Sequence, residues 1–302
     1  MKGRPHALPS PSPPQRNRLC RERNGAPLSS WAGSPAPLLQ NGQMADNADT
    51  IRVAIAQLDV AARDIGRNSA RLSALVREHA DADLVVVPEL ALTGYEIDDL
   101  DELAAPPEQA MAEIAEACAA VGTAFVGGYL EPGPGKPYNS MAAIDATGAL
   151  VANYRKTHLF DAEAQAFTAG DRLVVAQLGD LRVGLVNCFD MEFPEVARTL
   201  ADGGAQLLVV SSANMDPLYN DHLIAAQSRA LENRLPLVYA NRCGTEIGHR
   251  FCGGSRAVDP DGRVVAELGR DEDVLTVDLA LRSVLGGHVN YLRLRRPELY
   301  TR

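Results

Sequence analysis

The chain consists of short, nearly continuous apolar runs separated by longer stretches in which apolar residues recur every three or four positions. Runs rich in valine, isoleucine and leucine are typical of strands buried on both faces, and the periodic stretches are typical of amphipathic helices. In the first half, this pattern predicts strands at Ile51–Gln57, Asp83–Val87 and Thr123–Tyr129, with helices between them at Asn68–His79 and Pro107–Val121. A hairpin formed by Tyr138–Asp145 and Leu150–Lys156 follows.

The second half repeats this order with little sequence identity. Its elements are predicted at Leu181–Val186, Pro194–Asp202, Gln206–Val210, Asp221–Asn233 and Leu237–Asn241, with a last hairpin at Ser255–Gly269. Two such halves would place two sheets face to face with helices outside. The predicted fold is therefore an α/β four-layer α-β-β-α sandwich with an internal pseudo-two-fold repeat. The alternative is one doubly wound sheet, and the sandwich is favoured because hairpins alternate with the βα units in both halves.

The first 43 residues differ in composition from the rest of the chain. They contain eight of the 19 prolines and six Lys or Arg residues, and they lack apolar periodicity. Such a composition cannot build a core, so residues 1–43 are predicted to be a disordered N-terminal extension and residues 44–302 the folded domain. The stretch from Met44, MADNADTIRVAIAQ, looks like a natural beginning, and residues 1–43 are expected to be dispensable.

Charge narrows the range of partners. Without the extension the chain has 23 basic and 38 acidic residues, a net charge of −15. This charge disfavours nucleic acid and anionic membrane surfaces as partners, and it favours a neutral or cationic small molecule.

No apolar run approaches the length of a membrane span. The five scattered cysteines, an odd number without a secretory signal, indicate a reducing compartment, so we expect the protein in the cytoplasm.

Cys188 lies where a predicted strand meets a predicted helix. It follows the apolar run LRVGLVN, and the next helix is predicted to begin at Pro194. Proline is accepted in the first turn of a helix because a backbone N–H there would have no hydrogen-bond partner within the helix. Backbone N–H groups in such a turn favour a thiolate and can hold an oxyanion, which makes Cys188 a candidate nucleophile. The alternative is an inert, buried cysteine.

Two further reactive side chains follow predicted strands. Glu89 comes after the run DLVVVP, and Lys156 ends a strand of the first hairpin. Because ligands of α/β proteins bind at the carboxyl ends of strands, we expect Glu89, Lys156 and Cys188 to meet. The glutamate could accept the thiol proton, while the lysine would lower the thiol pKa below its usual value of about 8.5 and stabilise an oxyanion. This set is suited to acyl transfer from an amide to water.

With these residues, the chain resembles the nitrilase superfamily of carbon–nitrogen hydrolases over about Ile51–Tyr300. The resemblance rests on the segments PELALTGY, YRKTHLF, NCFDMEFPE, SANMDP and SRALENRLPLVYANR. It implies the same four-layer sandwich, a homodimer or higher homo-oligomer, and no metal or cofactor. It also implies a catalytic triad, carried here by Glu89, Lys156 and Cys188. Many members have a second catalytic glutamate, for which Glu163 is the best match.

The implied mechanism is covalent. Cys188 attacks the amide carbon with Glu89 as base, and Lys156 holds the oxyanion. The backbone N–H of Phe189 is the second oxyanion donor. Family members usually have Tyr or Trp at this position, but the difference should matter little because only the backbone N–H is expected to take part. After ammonia leaves, water activated by Glu89 and positioned by Glu163 releases the acid from the thioester.

The leading hypothesis is an amidase that releases ammonia and a carboxylic acid from a small linear amide. An N-carbamoyl amine hydrolase, which would also release carbon dioxide, is the main alternative. A nitrile hydrolase is disfavoured because the extended region of many nitrilases is not evident, and an acyltransferase remains open. A non-catalytic binding protein of the same fold is the alternative from another class, and the intact Glu-Lys-Cys set argues against it.

Four residues are candidates for substrate binding: Tyr95, Phe189, Glu192 and Asp216. Glu192 lies four residues after the nucleophile, where relatives acting on dicarboxylic monoamides often have a basic residue. An acid there suits a substrate with a cationic far end, such as an ω-amino amide, and Asp216 could help. The overall sequence is most similar to bacterial amidases of the aminovaleramide and stereoselective types. The alternative role for Glu192 is to cap the helix that begins at Pro194.

Other polar residues are expected to be structural. His158, two residues after Lys156, is predicted to face away from it and to make structural hydrogen bonds. Cys243, His249 and Cys252 could suggest a zinc site, but the sequence offers no obvious fourth ligand, so no metal is predicted.

Overall fold

The computed structural model describes residues 50–95, 100–283 and 291–300. The predicted N-terminal extension lies outside the described residues. The strands are β1 (Thr50–Gln57), β2 (Leu84–Val86), β3 (Ala124–Glu131), β4 (Tyr138–Ile144), β5 (Leu150–Arg155), β6 (Val175–Leu178), β7 (Leu181–Asn187), β8 (Leu207–Ser212), β9 (Leu237–Asn241), β10 (Thr245–Glu246), β11 (His249–Arg250), β12 (Arg256–Val258), β13 (Val264–Glu267) and β14 (Asp273–Ala280). The helices are α1 (Ile65–Glu78), α2 (Pro107–Ala110), α3 (Ala112–Val121), α4 (Glu163–Ala166), α5 (Pro194–Asp202), α6 (Tyr219–Asn233) and α7 (Tyr291–Leu294).

Two six-stranded sheets form the framework, in the orders β14-β1-β2-β3-β4-β5 and β13-β12-β9-β8-β7-β6. In the first sheet, β1, β2 and β3 are parallel and the outer strands are antiparallel to their neighbours. The second sheet repeats the pattern with β7, β8 and β9 at its centre. The matching orders confirm the predicted pseudo-two-fold repeat, and the alternative of one doubly wound sheet is wrong.

Strand β1 shows how one apolar run supplies two cores. Val53 and Ile55 belong to the central core between the two sheets, while Ala54 and Ala56 belong to the core that the first sheet forms with α1 and α3. All four are fully buried. Successive residues of a strand point to opposite faces, so a strand covered on both faces must be apolar throughout. A third core joins the second sheet to α5 and α6, which completes the four-layer α-β-β-α sandwich.

The two halves exchange their last strands, which the sequence pattern did not predict. Strand β6 follows the first hairpin in the chain but pairs antiparallel with β7, with Leu178 opposite Leu181. Strand β14 follows the second hairpin but returns to pair with β1, with Thr50 opposite Ala280. Each sheet therefore includes a strand from the other half, and neither half completes its sheet alone.

Helix α1 illustrates how local signals set the helix ends. It begins at Ile65 rather than at the predicted Asn68, because Oδ1 of Asp64 accepts a hydrogen bond from the backbone N–H of Arg67 at 3.1 Å. Helix α3 ends at Gly122, whose φ of +76° places it in the left-handed conformation that glycine adopts without strain.

Candidate active site

The three predicted reactive side chains follow strands whose ends lie close together. Glu89 lies three residues beyond β2, Lys156 directly follows β5, and Cys188 directly follows β7. Glu89 and Lys156 are buried, while Cys188 is partly accessible. The residues after β8 connect the two sheets at this point, because Ala213 N–H donates to Glu89 Oε2 at 2.9 Å and the hydroxyl of the adjacent Ser212 donates to Cys188 Sγ at 3.3 Å.

Lys156 lies between two carboxylates. Its Nζ donates to Glu89 Oε1 at 2.7 Å and to Glu163 Oε1 at 2.8 Å. Glu163 begins the short helix α4 and also accepts hydrogen bonds from the Tyr95 hydroxyl at 2.8 Å and from the backbone N–H of Phe160 at 2.7 Å. The structure therefore brings the predicted second glutamate into direct contact with the predicted triad, with Tyr95 beside it.

These contacts determine the charge of the cluster. Burial alone would lower the pKa of Lys156, but the carboxylates of Glu89 and Glu163 outweigh burial and raise that pKa well above its usual value. Burial raises the pKa of Glu163, and the Lys156 ammonium opposes this rise. The lysine therefore stays charged and can stabilise a developing oxyanion.

Cys188 has a strained backbone and a neutral thiol at rest. Its φ of +48° is in the left-handed region, where functional residues at tight strand-to-helix turns are found. Desolvation raises the pKa of the thiol well above its usual value, Glu89 raises it further, and Lys156 lowers it. The predicted effect of Lys156 on this pKa has the expected sign, but desolvation and the Glu89 carboxylate outweigh the ammonium, so the net change is upward. Attack on a substrate therefore requires a base.

Glu89 is held by donors that sequence inspection did not identify. Besides Lys156 and Ala213, the Asn139 side-chain amide donates to Glu89 Oε1 at 2.7 Å. Gly128 on β3 allows this segment to approach, because a Cβ there would lie 2.8 Å from the Glu89 Cα and closer still to the next backbone nitrogen. Glycine at position 128 thus permits close backbone packing beside the catalytic glutamate.

A cavity of about 280 Å³ opens onto the Cys188 sulfur. Its lining is mostly apolar, with Glu192, Asn214 and His222 as the polar exceptions. The full lining is Tyr95, Phe160, Cys188, Phe189, Glu192, Ala213, Asn214, Met215, Leu218 and His222. A mostly apolar cavity with a few polar groups beside a candidate nucleophile is suited to binding a small molecule.

The four predicted substrate-binding residues do not all reach this cavity. Tyr95, Phe189 and Glu192 line it, and the Phe189 ring packs edge-on against Phe160 with centroids 5.3 Å apart. Asp216 is not among the lining residues. Its carboxylate pairs instead with Arg270, whose Nη1 lies 2.8 Å from Oδ2, so the structure places Asp216 outside the lining of this cavity and its role in substrate binding stays a prediction.

Glu192 contacts a histidine and does not act as a helix cap. Its Oε1 lies 3.3 Å from His222 Nε2, and its backbone carbonyl accepts a hydrogen bond from Arg229 Nη2 at 2.9 Å. Helix α5 has Phe193 at its N-cap position and no side-chain capping bond there. The capping alternative is therefore wrong, and Glu192 keeps its carboxylate at the cavity wall.

His158 has the structural role that the sequence predicted. Its ring stacks on Phe193 at a centroid distance of 4.0 Å, and its Nδ1 lies 2.8 Å from Asp190 Oδ1. The hydrogen bond to Asp190 raises the pKa of His158, and burial partly opposes this rise. Asp190 also accepts from the Tyr154 hydroxyl at 2.6 Å, so it ties the turn after Cys188 to β5.

One residue that contacts the nucleophile, and two that contact this residue in turn, were not predicted as site residues. Ser212 contacts the sulfur, and Tyr239 and His222 contact each other and Ser212. The rule that parallel strands deliver functional groups at their carboxyl ends also applies to β8, and it would have pointed to Ser212. Tyr239 and His222 lie inside a strand and a helix, where no local pattern marks them.

The described residues contain no group of three or more His, Cys, Asp and Glu side chains arranged to hold a metal ion. In the possible zinc set, Cys252 donates its S–H to the Asn214 carbonyl at 3.2 Å, Cys243 is buried and His249 is exposed. Within the same described ranges, no helix is long and apolar enough to cross a membrane.

Comparison with known proteins agrees with this geometry. The family model for carbon–nitrogen hydrolases matches residues 52–285. The chain belongs to the carbon–nitrogen hydrolase family. A Pseudomonas protegens protein named "hydrolase in pqqF 5′ region" is 40% identical over 271 residues, which cover 86% of this chain and 94% of that protein. An (R)-stereoselective amidase from a Pseudomonas species is 37% identical over 82% of this chain and 92% of its own length.

A solved structure shares the fold of this chain. It is a mutant amidase from Nesterenkonia sp. AN1 in which the acetamide moiety of fluoroacetamide is covalently added at the active site cysteine. It matches this carbon–nitrogen hydrolase with a TM-score of 0.76 and 29% identity, over 84% of this chain and 97% of that chain. The predictions of a nitrilase-superfamily enzyme and of its fold are therefore confirmed.

Proposed function

We propose that this carbon–nitrogen hydrolase is an amidase that converts small linear amides to a carboxylic acid and ammonia through a thioester on Cys188. The observation that carries the proposal is the set of groups around one small cavity. A thiol lines its wall, and next to that wall a charged lysine bridges two carboxylates. Such a set supplies a nucleophile, an oxyanion stabiliser and a proton acceptor together.

In the proposed acylation step, Cys188 Sγ attacks the amide carbon and the thiol proton passes to Glu89. The oxyanion is stabilised by the Lys156 ammonium and by the backbone N–H of Phe189. Glu89 then gives the proton to the leaving nitrogen, the carbon–nitrogen bond breaks, and ammonia departs from the thioester. In deacylation, Glu89 takes a proton from water, Glu163 helps to position that water, and the acid and the thiol are released.

The finer proposal concerns the substrate. We propose an ω-amino amide, because Glu192 is the acidic side chain in a cavity whose walls are otherwise mostly apolar. The apolar walls would contact a methylene chain, and the carboxylate would attract an ammonium at its far end. The (R)-stereoselective amidase among the relatives supports amide hydrolysis in general.

Ammonia release from a panel of substrates tests the proposed reaction. The panel contains ω-amino amides, plain aliphatic amides, N-carbamoyl amines and nitriles, with Cys188→Ala as the inactive reference. Amides should release one ammonia per acid formed. Turnover of N-carbamoyl amines with carbon dioxide release, in place of amide turnover, would favour the alternative hydrolase, and no turnover of any member by a folded protein that binds them would favour the binding module.

The substrate proposal has its own test. The ratio of kcat/KM for 5-aminopentanamide to that for hexanamide is measured in wild type, in Glu192→Gln and in Glu195→Gln. Glu195 is an exposed carboxylate on α5 and serves as the matched control. Glu192→Gln should lower the ratio roughly fivefold, the effect of about 1 kcal/mol for a partly exposed ion pair. An unchanged ratio would remove the preference for cationic substrates.

We further propose that the protein works as a homodimer or a higher homo-oligomer. Large apolar side chains are exposed on α6 and α7, with Ile224 64%, Leu231 37% and Leu294 69% accessible. Exposed apolar groups of this size support an interaction surface. Sedimentation equilibrium should give at least twice the mass of the chain, and Ile224→Asp should reduce it. A monomer in both proteins would contradict the proposal.

A further inference from the structure

A chain of hydrogen-bonding side chains leads from the Cys188 sulfur to the cavity wall by a route that avoids Glu89. Ser212 Oγ lies 3.3 Å from Sγ, the Tyr239 hydroxyl lies 3.2 Å from Ser212 Oγ, and His222 Nδ1 lies 2.9 Å from the Tyr239 hydroxyl. The chain ends at Glu192, whose Oε1 lies 3.3 Å from His222 Nε2. Its members come from β8, β9, α6 and the turn after β7, so four separate elements build it.

We propose that His222 is a second proton acceptor for the Cys188 thiol, reached through Ser212 and Tyr239 and oriented by Glu192. The proposal goes beyond the reaction assigned above, because it concerns how the thiolate is formed and holds for any electrophile that the sulfur attacks.

The hydrogen count at Ser212 supports a directional relay. One lone pair of its oxygen accepts the backbone N–H of Asn214 at 3.2 Å, which leaves one hydrogen to donate and one site to accept. In the structure, the Ser212 hydroxyl donates to Cys188 Sγ and the Tyr239 hydroxyl donates to Ser212 Oγ, which is the arrangement after the proposed transfer. Before the transfer both hydroxyls are rotated, so that Cys188 S–H donates to Ser212, Ser212 donates to Tyr239, and Tyr239 donates to His222 Nδ1. The other ring nitrogen then carries its hydrogen toward Glu192.

Transfer along this chain balances without any other reactant. The thiol proton moves to Ser212 Oγ, the Ser212 hydrogen moves to Tyr239, and the Tyr239 hydrogen moves to His222 Nδ1. The products are a Cys188 thiolate and an imidazolium, and both hydroxyls are neutral before and after. Burial raises the pKa of Tyr239 well above its usual value, so it passes a proton on as a hydroxyl and is not itself ionised.

The His222 ring has a carboxylate on the side away from Tyr239. The ring is buried, and the groups that face it are Glu192 from the turn after β7, Tyr239 from β9 and Ser212 from β8. Glu192 is a carboxylate in contact with the far nitrogen, as expected for a group that orients a histidine base and stabilises its charged form.

Glu89 is less free to take the first proton in the resting site. Its Oε1 accepts from Lys156 and Asn139, and its Oε2 accepts from Ala213. In the described residues, the side chain within hydrogen-bonding distance of the Cys188 sulfur is Ser212. The relay therefore begins at the group that already touches the nucleophile.

The test is the pH dependence of Cys188 alkylation by iodoacetamide, followed on the Cys188 peptide by mass spectrometry. The reaction reports the thiolate directly and needs no amide turnover, so it can succeed or fail independently of the proposed amidase activity. Background from two other thiols is low, because burial raises the pKa of Cys243 to about 12 and that of Cys252 to about 11.

The decisive variants are Tyr239→Phe and His222→Asn. Tyr239→Phe interrupts the chain but leaves Ser212 in contact with Cys188, and asparagine keeps a hydrogen-bonding group but cannot take a proton at neutral pH. The control is Tyr129→Phe, which removes an equally buried hydroxyl, bonded to Asn153 at 3.0 Å, from the corresponding strand of the other half.

Both relay variants should move the alkylation midpoint up by about one pH unit and slow alkylation near neutral pH about tenfold. The control should keep the wild-type midpoint. In His222→Ala, added imidazole should restore part of the alkylation rate, because the ring lies at the cavity wall. Wild-type midpoints in both Tyr239→Phe and His222→Asn would overturn the relay, as would an equal shift in Tyr129→Phe.

Discussion

Gly128 offers a sharp test of how the catalytic glutamate is positioned. A Cβ at this position would collide with the backbone nitrogen of Leu90 and would lie 2.8 Å from the Glu89 Cα. Ordinary contacts begin near 3.4 Å, so the segment that carries Glu89 would have to move by roughly 1 Å, and a displacement of about 1 Å in an active site can cost about 10²-fold in rate. We therefore expect Gly128→Ala to lower kcat/KM for amide hydrolysis about 100-fold.

Two glycine variants separate this effect from simple loss of stability. Gly127→Ala lies on the same strand but points to the opposite face, where its Cβ would press on the side chains of Val87 and Phe125. It should destabilise the fold by about 1–3 kcal/mol through overpacking and should retain more activity than Gly128→Ala. Gly66→Ala in α1 meets no atom within 4 Å and should leave activity unchanged. Wild-type kcat/KM in a folded Gly128→Ala protein would refute the positioning argument.

Three further predictions concern other parts of the chain. Lys156→Met leaves Glu89 and Glu163 buried without their cation and should cost about 3–5 kcal/mol, measured by urea unfolding, whereas an unchanged midpoint would mean that the ammonium does not hold the cluster together. His158→Gln should flatten the pH dependence of the free energy of unfolding. Because the pKa of His158 is raised in the folded state, its hydrogen bond to Asp190 stabilises the fold fully below the unfolded-state pKa and less as pH rises through the folded-state pKa. The wild type should therefore lose its stability advantage over the variant at alkaline pH. A protein that begins at Met44 should match the full chain in kcat/KM and melting temperature, and a loss of activity would show that residues 1–43 are needed.

Local sequence pattern predicted the parts of this fold that depend on local burial. Runs such as that of β1 are buried on both faces, so their composition alone marks them as inner strands. Strands β6 and β14 were missed because they are short or half-exposed. Strand β14 pairs with β1, which is distant in the chain, so no local pattern encodes that pairing. Strand β6 pairs with the strand that directly follows it, with Leu178 opposite Leu181, so its pairing is local and the tight turn at Gly179 was missed.

The candidate site likewise has parts that could be predicted from the sequence and parts that could not. Glu89, Lys156 and Cys188 could be inferred because each follows a strand and strand ends converge. The ion pair of Asp216 with Arg270 was not predicted, because the two residues are 54 positions apart in the chain. The lowering effect of Lys156 on the Cys188 pKa could be predicted, but the larger effect of desolvation could not, because it depends on how completely the fold removes water from the sulfur.

The raised thiol pKa and the charged lysine are two consequences of one charge balance. Glu89 and Glu163 place two carboxylates around one ammonium, so a resting thiolate would add a further negative charge to an enclosed site. The site therefore favours losing the thiol proton only when a substrate carbonyl is present to share the lysine. A proton acceptor outside this cluster, such as His222, would take the thiol proton without placing it on either carboxylate.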